Sequence, residues 1–294
     1  MADESTLWYF YLMQRKVCWD SNLREKSDAF RELRDTIYEF YWACMRALPW
    51  RCTEDPYFIL VSEFMLQQTQ VERVLGKYES FIETFPDFQV LARAPLKDVL
   101  SLWQGLGYNR RAVSLWKTAR KVVEEFHGSL PDTQEELVQM PGIGRATAGS
   151  ILAFAFNRPA VFIETNIRRV FIHFFFQGRT DVRDSEIVLL VEAALDHDNP
   201  RQWYYALMDY GAMLGRQSLN PNRRSAHYAR QAPFEGSDRQ ARGRVIKALL
   251  EKDTHTGKTL SLLLNIEADR LRRILAGLER DGLIAREGNS YRLP

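Results

Sequence analysis

The chain has 294 residues, of which 46% are hydrophobic and 27% charged, with a formal net charge of +2. This is an ordinary globular composition, long enough for one large core or two domains. No apolar stretch could span a bilayer, no secretory leader opens the chain, and Cys18, Cys44 and Cys52 form neither a metal-like spacing nor a disulfide framework. We therefore expect an intracellular, cytoplasmic protein.

Apolar residues recur at helical spacing along most of the first 234 residues. The clearest segments are 27–46, 99–126 and 185–195. Asp132 or Thr133 is expected to cap a helix that begins near Gln134. No alternating strand pattern precedes the last dozen residues, so an all-α fold is predicted up to about residue 234.

The strongest local signal is PGIGRATAGSIL, from Pro141 to Leu152. Its glycines predict a tight turn between two helices, because glycine tolerates positive φ and close backbone approach. The amides of Gly142, Gly144 and Arg145 are expected to point outward at the N-terminus of the second helix, where they could bind a backbone phosphate. A plain turn between helices would show the same glycine pattern.

The C-terminal part begins after an irregular, basic linker at 220–238. Three helices are predicted there over 239–252, 259–265 and 267–282, followed by two strands around Gly288 and Asn289. This order resembles a winged helix-turn-helix, whose third helix usually enters the major groove. That helix carries Arg270, Arg272, Arg273 and Arg280. DNA contact is favoured, although winged helices also serve as dimerisation or scaffold modules.

The charge of the C-terminal part supports the same prediction. From Arg216 to Pro294 there are 16 Lys or Arg against 9 Asp or Glu, a surplus of seven positive charges. Such a surplus suits a polyanion such as nucleic acid, and a solvated basic face would look the same.

Five motifs in a fixed order carry a resemblance to a known family. They are LPWR (48–51), SEFMLQQTQV (62–71), GLGY (105–108), PGIGRATAGSIL (141–152) and ETNIRRV (164–170). With them the chain resembles the helix–hairpin–helix (HhH-GPD) DNA glycosylase superfamily over roughly residues 30–215. The match is closest to MutY-type A/G-specific adenine glycosylases, with endonuclease III as a wider relative.

The resemblance implies a two-subdomain helical fold with DNA across the cleft. The implied divisions are an N-terminal extension (1–26), a glycosylase domain (27–234) and a winged-helix-like domain (235–294). Within the glycosylase domain, a six-helix barrel near 63–160 stands beside a second subdomain formed by 27–62 and 161–234. The extension carries an aromatic patch, LWYFY, that is expected to pack on the core or engage a partner.

A glycosylase needs two carboxylates, by analogy with O-glycosidases. One donates a proton to the departing base, and the other stabilises positive charge on the sugar. The resemblance assigns these roles to Glu63 and Glu164, with Asn166 orienting the backbone. For Glu63, a plain helix-initial acid is the alternative. Glu164 departs from the family's Asp, so its longer side chain must be drawn back or the sugar must lie farther away.

Further positions match residues that contact DNA or the extruded base. Gln68 and Tyr108 correspond to residues that fill or wedge the helix beside the extruded base, although Tyr108 could instead be a core tyrosine. Trp50 and Leu66 correspond to walls of the adenine pocket. Arg51 could reach either a phosphate or the base.

Ala146 stands where strand-nicking relatives carry a lysine nucleophile, which predicts no lyase activity. Three departures from the family's pattern affect the expected substrate and cofactor. A winged-helix candidate stands where MutY-type enzymes have a Nudix-like domain, and Tyr205 stands where adenine-specific members place Glu or Gln. Uracil, mismatched thymine or a damaged base therefore stays open beside adenine opposite 8-oxoguanine. No cysteine follows Cys52, so no [4Fe–4S] cluster is expected. A monovalent cation at the hairpin 141–145 is still allowed.

The loop that takes the place of the cluster is strongly basic. It carries Arg216, Arg223, Arg224 and Arg230, which are expected to contact phosphates. We therefore expect a monofunctional, nucleoid-associated, monomeric DNA glycosylase acting on duplex DNA with a damaged or mispaired base. A non-catalytic DNA-binding or regulatory protein ranks behind it, because both carboxylates are present.

Overall fold

The computed structural model describes residues 23–217, 219–229 and 233–294. The LWYFY patch, with the rest of 1–22, and Arg230 lie outside the described residues. The chain forms two compact units. Of the described residues, the first unit combines 23–47 with 152–229, and the second combines 48–151 with 233–294.

The described residues are mainly helical. In chain order the helices are α1 (Leu23–Cys44), α2 (Pro56–Leu66), α3 (Val71–Thr84), α4 (Phe88–Arg93), α5 (Leu96–Leu102), α6 (Arg110–Glu125), α7 (Gln134–Leu137), α8 (Arg145–Phe156), α9 (Thr165–Phe175), α10 (Asp184–Ala194), α11 (Pro200–Gly215), α12 (Asp238–Glu251), α13 (Gly257–Leu264) and α14 (Ala268–Arg280). Short 3₁₀ turns lie at Pro49–Arg51 and Pro221–Arg224. None of the described helices is long and apolar enough to cross a lipid bilayer.

Two local predictions can be compared directly with the helices. The Thr133 hydroxyl accepts a hydrogen bond from the Glu136 amide at 3.3 Å and so caps α7, as one of the two predicted caps. The helical spacing over 99–126 is divided between two helices. Gly105, Gly107 and Tyr108 adopt φ values of 95°, 72° and 47°, which a right-handed helix cannot contain. The chain therefore forms α5 and α6 with a loop between them.

The first unit is built around the close packing of α9 on α11. A Cβ added at Gly211 would collide with the backbone and side chain of Asn166, so glycine is required for this approach. Asp209, also on α11, is only 3% exposed and accepts hydrogen bonds from the Arg46 backbone amide at 3.0 Å and from its Nε at 2.5 Å. This packing holds the N-terminus of α9, where Glu164 lies.

The second unit contains α2 to α7, the start of α8 and the C-terminal domain, by which we mean residues 233–294. Phe64, Phe81 and Trp103 are fully buried in it, and the Phe81 and Trp103 rings meet edge to face at 6.0 Å. Residues 48–62 group with this unit, and its boundary falls inside α8, after Ile151. The division into glycosylase and winged-helix domains remains a prediction.

The C-terminal domain has three helices and a small antiparallel sheet with strand order β1-β3-β2. The strands are β1 (Thr254–Thr256), β2 (Ala285–Glu287) and β3 (Ser290–Arg292), and His255 and Arg286 both pair with Tyr291. The predicted terminal hairpin is therefore present. The additional strand β1 was not predicted, because three residues are too few to show an alternating pattern.

Candidate active site

Glu164 is the N-cap of α9 and lies at the end of a buried segment. Phe162 is 4% exposed, and the Ala160 carbonyl accepts a 2.6 Å hydrogen bond from the Tyr204 hydroxyl. The Oε1 atom of Glu164 accepts from the backbone amides of Asn166 at 2.6 Å and Ile167 at 3.1 Å. The longer side chain is thus folded back onto its own helix, which answers how a Glu can stand where the resembled family has Asp.

The protonation of Glu164 reflects two opposing effects. Burial raises the pKa of its carboxyl above the usual range, because a charge is less well solvated there. The two backbone amides and the nearby Arg169 guanidinium act in the opposite direction, since they favour the ionised form. The result is a half-buried carboxylate, held by a helix N-terminus, whose pKa is raised.

Arg169 connects α9 to α11 and to the loop beyond it. Its Nη1 donates to the Asn166 side-chain oxygen at 2.7 Å and to the Gly211 carbonyl at 2.5 Å. Its Nε donates to the side-chain oxygen of Asn220 at 3.1 Å. Asn166 is thus bonded to a buried arginine that no sequence motif singled out, and its role in orienting the backbone stays a prediction.

The segment that follows α11 is held by polar side chains. The Asn222 amide donates to the Thr165 carbonyl at 2.9 Å, and Val182 exchanges backbone hydrogen bonds with Arg224 and Ala226 at 2.9 Å each. A [4Fe–4S] cluster would need four thiolates. This segment contains arginines and asparagines but no cysteine, so its residues do not fit such a cluster.

Arg224, one of the four arginines expected to contact phosphates, makes hydrogen bonds within the protein, and a phosphate contact by it stays a prediction. Its guanidinium donates to the carbonyls of Phe176 at 2.7 Å and Ile172 at 3.2 Å, at the C-terminal end of α9. An arginine there satisfies carbonyls that have no partner within the helix and complements the helix dipole. Arg216 and Arg223 are exposed, so a phosphate contact by either stays a prediction.

Replacing Arg224 by glutamine is expected to lower the free energy of unfolding by about 1–3 kcal/mol, because buried carbonyls lose charge-assisted partners. Chemical denaturation followed by circular dichroism measures this. Arg223→Gln, at the exposed neighbouring position, is the matched control and should stay within about 0.5 kcal/mol of the wild type. Equal effects of the two substitutions would contradict the capping role.

Glu63 lies on α2 in the second unit and is half-buried. The buried Ser150 hydroxyl lies 2.5 Å from its Oε2 and 2.9 Å from the Thr147 carbonyl oxygen. A hydroxyl has one proton for these two neighbours. When Ser150 donates to the carbonyl, its oxygen can accept the proton of a protonated Glu63; when Glu63 is ionised, Ser150 can donate to it. Ser150 therefore matches both protonation states of the acid.

The candidate base-pocket residues differ in burial and belong to different units. Trp50 is 4% exposed and packs edge to face on Tyr78 at 5.3 Å, whereas Leu66 and Arg51 are half-buried. These residues belong to the second unit. Tyr205 belongs to the first unit, where its ring stacks on Phe154 at a centroid distance of 4.5 Å.

The glycine hairpin has the predicted form. Gly142 has φ 80°, and a Cβ there would collide with Ser114, so no other residue suits the turn. The Thr118 hydroxyl anchors the turn by donating to the Pro141 carbonyl at 3.0 Å. Gly142, Gly144 and Arg145 are exposed at the N-terminus of α8, and this helix end can bind an anion such as phosphate.

Gln68 and Tyr108 lie on two loops, 67–69 and 106–109, which we call the wedge loops. Both residues have positive φ, 54° and 47°, which is uncommon outside glycine and persists only where the surroundings enforce it. Gln68 is exposed, and Tyr108 is 37% exposed, so Tyr108 is not a core tyrosine.

Arg111 is the residue that enforces these conformations. Its guanidinium, on a residue only 9% exposed, donates to backbone carbonyls in both wedge loops and at the end of α2. These acceptors are Phe64 (2.8 Å), Met65 (2.9 Å), Gln67 (2.6 Å), Leu106 (3.2 Å) and Gly107 (3.1 Å). Burial lowers the pKa of Arg111 to about 10, so it remains charged at neutral pH.

We expect Arg111→Met to lower the free energy of unfolding by about 3–5 kcal/mol, since several buried carbonyls lose their donor at once. Urea denaturation provides the measurement. Arg110→Met is the control, because the Arg110 side chain is 74% exposed, and it should change stability by no more than about 0.5 kcal/mol. A small effect at Arg111 would show that the loops hold their shape without it.

The chain is similar to a known protein family and to several curated proteins. The family described as "HhH-GPD superfamily base excision DNA repair protein" matches residues 61–190. The chain is 37% identical over 180 residues to the adenine DNA glycosylase of Buchnera aphidicola subsp. Baizongia pistaciae, covering 60% of this chain and 50% of that one. It is 35% identical over 244 residues to the adenine DNA glycosylase of Mycobacterium tuberculosis, covering 74% and 79%.

The human adenine DNA glycosylase is 37% identical over 193 residues, covering 62% of this chain and 35% of the human protein. The chain thus spans about half the length of the Buchnera relative and a smaller share of the human one. Among solved structures, a thermostable thymine-DNA glycosylase has a TM-score of 0.60 at 24% identity, covering 66% of this chain and 91% of that one. An endonuclease III–DNA complex has a TM-score of 0.56 at 18% identity, covering 66% and 89%. These two structures share the fold.

Proposed function

Since the chain belongs to the HhH-GPD superfamily of base excision DNA repair proteins, we propose that it is a monofunctional DNA glycosylase. It extrudes a base from duplex DNA and hydrolyses the N-glycosidic bond, with adenine opposite 8-oxoguanine as its substrate. The observation that carries this proposal is the Glu164 carboxylate, half-buried and held at the N-terminus of α9. The similarity to adenine DNA glycosylases at 35–37% identity supports the choice of base.

In the proposed reaction, Glu63 gives its proton to the departing base while ionised Glu164 faces C1′ of the sugar. The C1′–N bond breaks, its electron pair leaves with the protonated base, and Glu164 stabilises the positive charge left on the sugar. A water oxygen then bonds to C1′ and loses a proton, which yields the free base and an abasic site. Ser150 accepts from protonated Glu63 before this step and donates to its carboxylate afterwards.

Two further parts of the proposal concern what the enzyme lacks. Ala146, an exposed residue in the first turn of α8, offers no nucleophile, so no covalent enzyme–DNA adduct forms. Treatment with borohydride during the reaction should trap no adduct. The enzyme also works without an iron–sulfur cluster, and purified protein should contain no iron or acid-labile sulfide.

A panel of duplexes tests the activity. Each duplex carries one candidate base, is incubated with wild-type protein and is then treated with hot alkali, which cleaves at abasic sites. Cleavage of the duplex with adenine opposite 8-oxoguanine supports the full proposal. Tight binding without cleavage of any duplex would favour a DNA-binding or regulatory protein instead. Glu164→Gln protein is the control for contaminating glycosylases.

A second candidate is the same reaction on uracil, mismatched thymine or another damaged base. The feature that favours it is Tyr205, whose phenol ring, stacked on Phe154, replaces the Glu or Gln expected of adenine-specific relatives. A phenol offers adenine a different hydrogen-bond pattern from a carboxylate or an amide. Cleavage of one of these duplexes in preference to adenine opposite 8-oxoguanine would support this candidate.

A further inference from the structure

The C-terminal domain touches the wedge loops through α12, its first helix. The Arg239 guanidinium donates to the Tyr108 hydroxyl at 3.1 Å. Arg242, one turn further along α12, pairs with Asp281 at 2.5 Å, and Arg110 beside Tyr108 approaches the same Asp281 at 3.9 Å. The side chain of Tyr108 is therefore oriented in part by the C-terminal domain.

Tyr108, Arg110, Arg242 and Asp281 line a half-open cavity of about 340 Å³. Its lining consists of Gln67, Gln68, Tyr108, Asn109, Arg110, Arg111, Arg242 and Asp281. The volume falls at the lower end of the roughly 300–1,000 Å³ range of ligand sites. Three arginines against one aspartate leave two surplus positive charges, and an aromatic ring and three amides lie beside them. Such a lining suits a nucleotide, with its phosphate between the arginines and its base against the ring.

The arginines of α14 are engaged differently. Arg270 donates to Asp238 at 2.9 Å and to the Gly236 carbonyl at 2.7 Å, and Arg272 pairs with Asp269 on its own helix. Two of the four arginines that suggested a groove-reading helix are thus neutralised by acids of the C-terminal domain. Arg242 of α12, by contrast, shares its partner Asp281 with Arg110, the first residue of α6.

We propose that the C-terminal domain binds DNA through α12 at this cavity, beside the extruded nucleotide, and not through α14. The ligand is a phosphodiester and base of the bound duplex. The phosphate lies between Arg110 and Arg242 and displaces Asp281 from them, while the base stacks on Tyr108. The placement beside the extruded nucleotide rests on the proposed function, because only a base-extruding enzyme would need Tyr108 there.

Two substitutions that are expected to change DNA affinity in opposite directions test the site. Arg242→Gln removes a phosphate ligand and should weaken binding to a duplex with an abasic-site analogue by about 10-fold, and lower the salt-dependence slope by about one unit. Asp281→Asn removes the competing acid and should tighten binding several-fold. A merely structural Arg242–Asp281 pair would make both variants weaker, and that result would overturn the proposal.

The controls are Arg244→Gln, at an exposed position on the same helix, and Arg273→Gln, exposed on α14. Both should bind within two-fold of the wild type, and a ten-fold loss at Arg273 would assign the DNA contact to α14 instead. Arg242→Gln should also lose more affinity for the abasic-analogue duplex than for an undamaged duplex. Equal losses on the two duplexes would overturn the placement beside the extruded nucleotide. These assays measure binding, so they decide the proposal even if the wild type excises no base.

Discussion

Replacing Glu164 by glutamine is expected to lower the single-turnover rate of base excision by about 10²- to 10³-fold, because a neutral amide does not stabilise positive charge on the sugar. The amide oxygen can still accept from the Asn166 and Ile167 amides, so α9 keeps its cap. Rapid-quench measurement with enzyme in excess isolates the chemical step. DNA affinity should stay close to that of the wild type, and a full excision rate in this variant would overturn the assignment of Glu164.

The raised pKa of Glu164 gives this prediction two further readouts. An acid with a raised pKa takes up its proton at a higher pH than an ordinary glutamate does. As the pH is lowered, the wild-type excision rate should therefore begin to fall at a higher pH than it would if Glu164 had an ordinary pKa. Ionisation is also less favourable in the folded than in the unfolded protein, so the stability contribution of Glu164 falls as pH rises through this range. At neutral pH, Glu164→Gln should therefore unfold at a temperature no lower than that of the wild type.

Glu164→Asp is the matched variant that keeps the charge. Aspartate is a preferred N-cap, so the helix end is retained, but its carboxylate is one methylene shorter. We expect an excision rate between those of the wild type and the glutamine variant, because a shift of about 1 Å can cost a large part of the rate. An aspartate variant as slow as Glu164→Gln would mean that the folded-back geometry, and not only the charge, is required.

The second large effect is expected at Glu63. Replacement by glutamine removes the proton donor and should slow excision by about 10²- to 10⁴-fold, in the range of general acid catalysis. Single-turnover rates measured with enzyme in excess at neutral pH give this loss.

Two further variants separate the acid from its surroundings. Ser150→Ala keeps Glu63 but removes the hydroxyl 2.5 Å from it, and should cause a much smaller loss of rate than Glu63→Gln. Glu72→Gln, at an exposed position on α3, removes the same charge elsewhere and should leave the rate unchanged. If Glu63→Gln kept the wild-type excision rate, Glu63 would be a plain acid on a helix without a catalytic role.

Local structure followed from the sequence where local chemistry decided it. The cap at Thr133, the glycine turn at Gly142 and the terminal hairpin each depend on a few adjacent residues, and each is present. The apolar spacing over 99–126 continues through the loop that divides α5 from α6, so spacing alone does not locate that loop. Arg111 joins this loop, through Leu106 and Gly107, to the Phe64 carbonyl 47 positions away, and no local pattern encodes that long-range contact.

The sequence by itself determined the helical fold class and the order of the motifs. The fold class depends on residue type and period, which are local properties of the chain. The two acids became candidates for catalysis only through the resemblance that the ordered motifs carry. Tertiary structure alone decided which groups face these residues. Ser150 meets Glu63 across 87 positions, and Arg224 meets the end of α9 across 48. Such partners are chosen by packing, because a buried polar group must be satisfied by whatever the fold brings beside it.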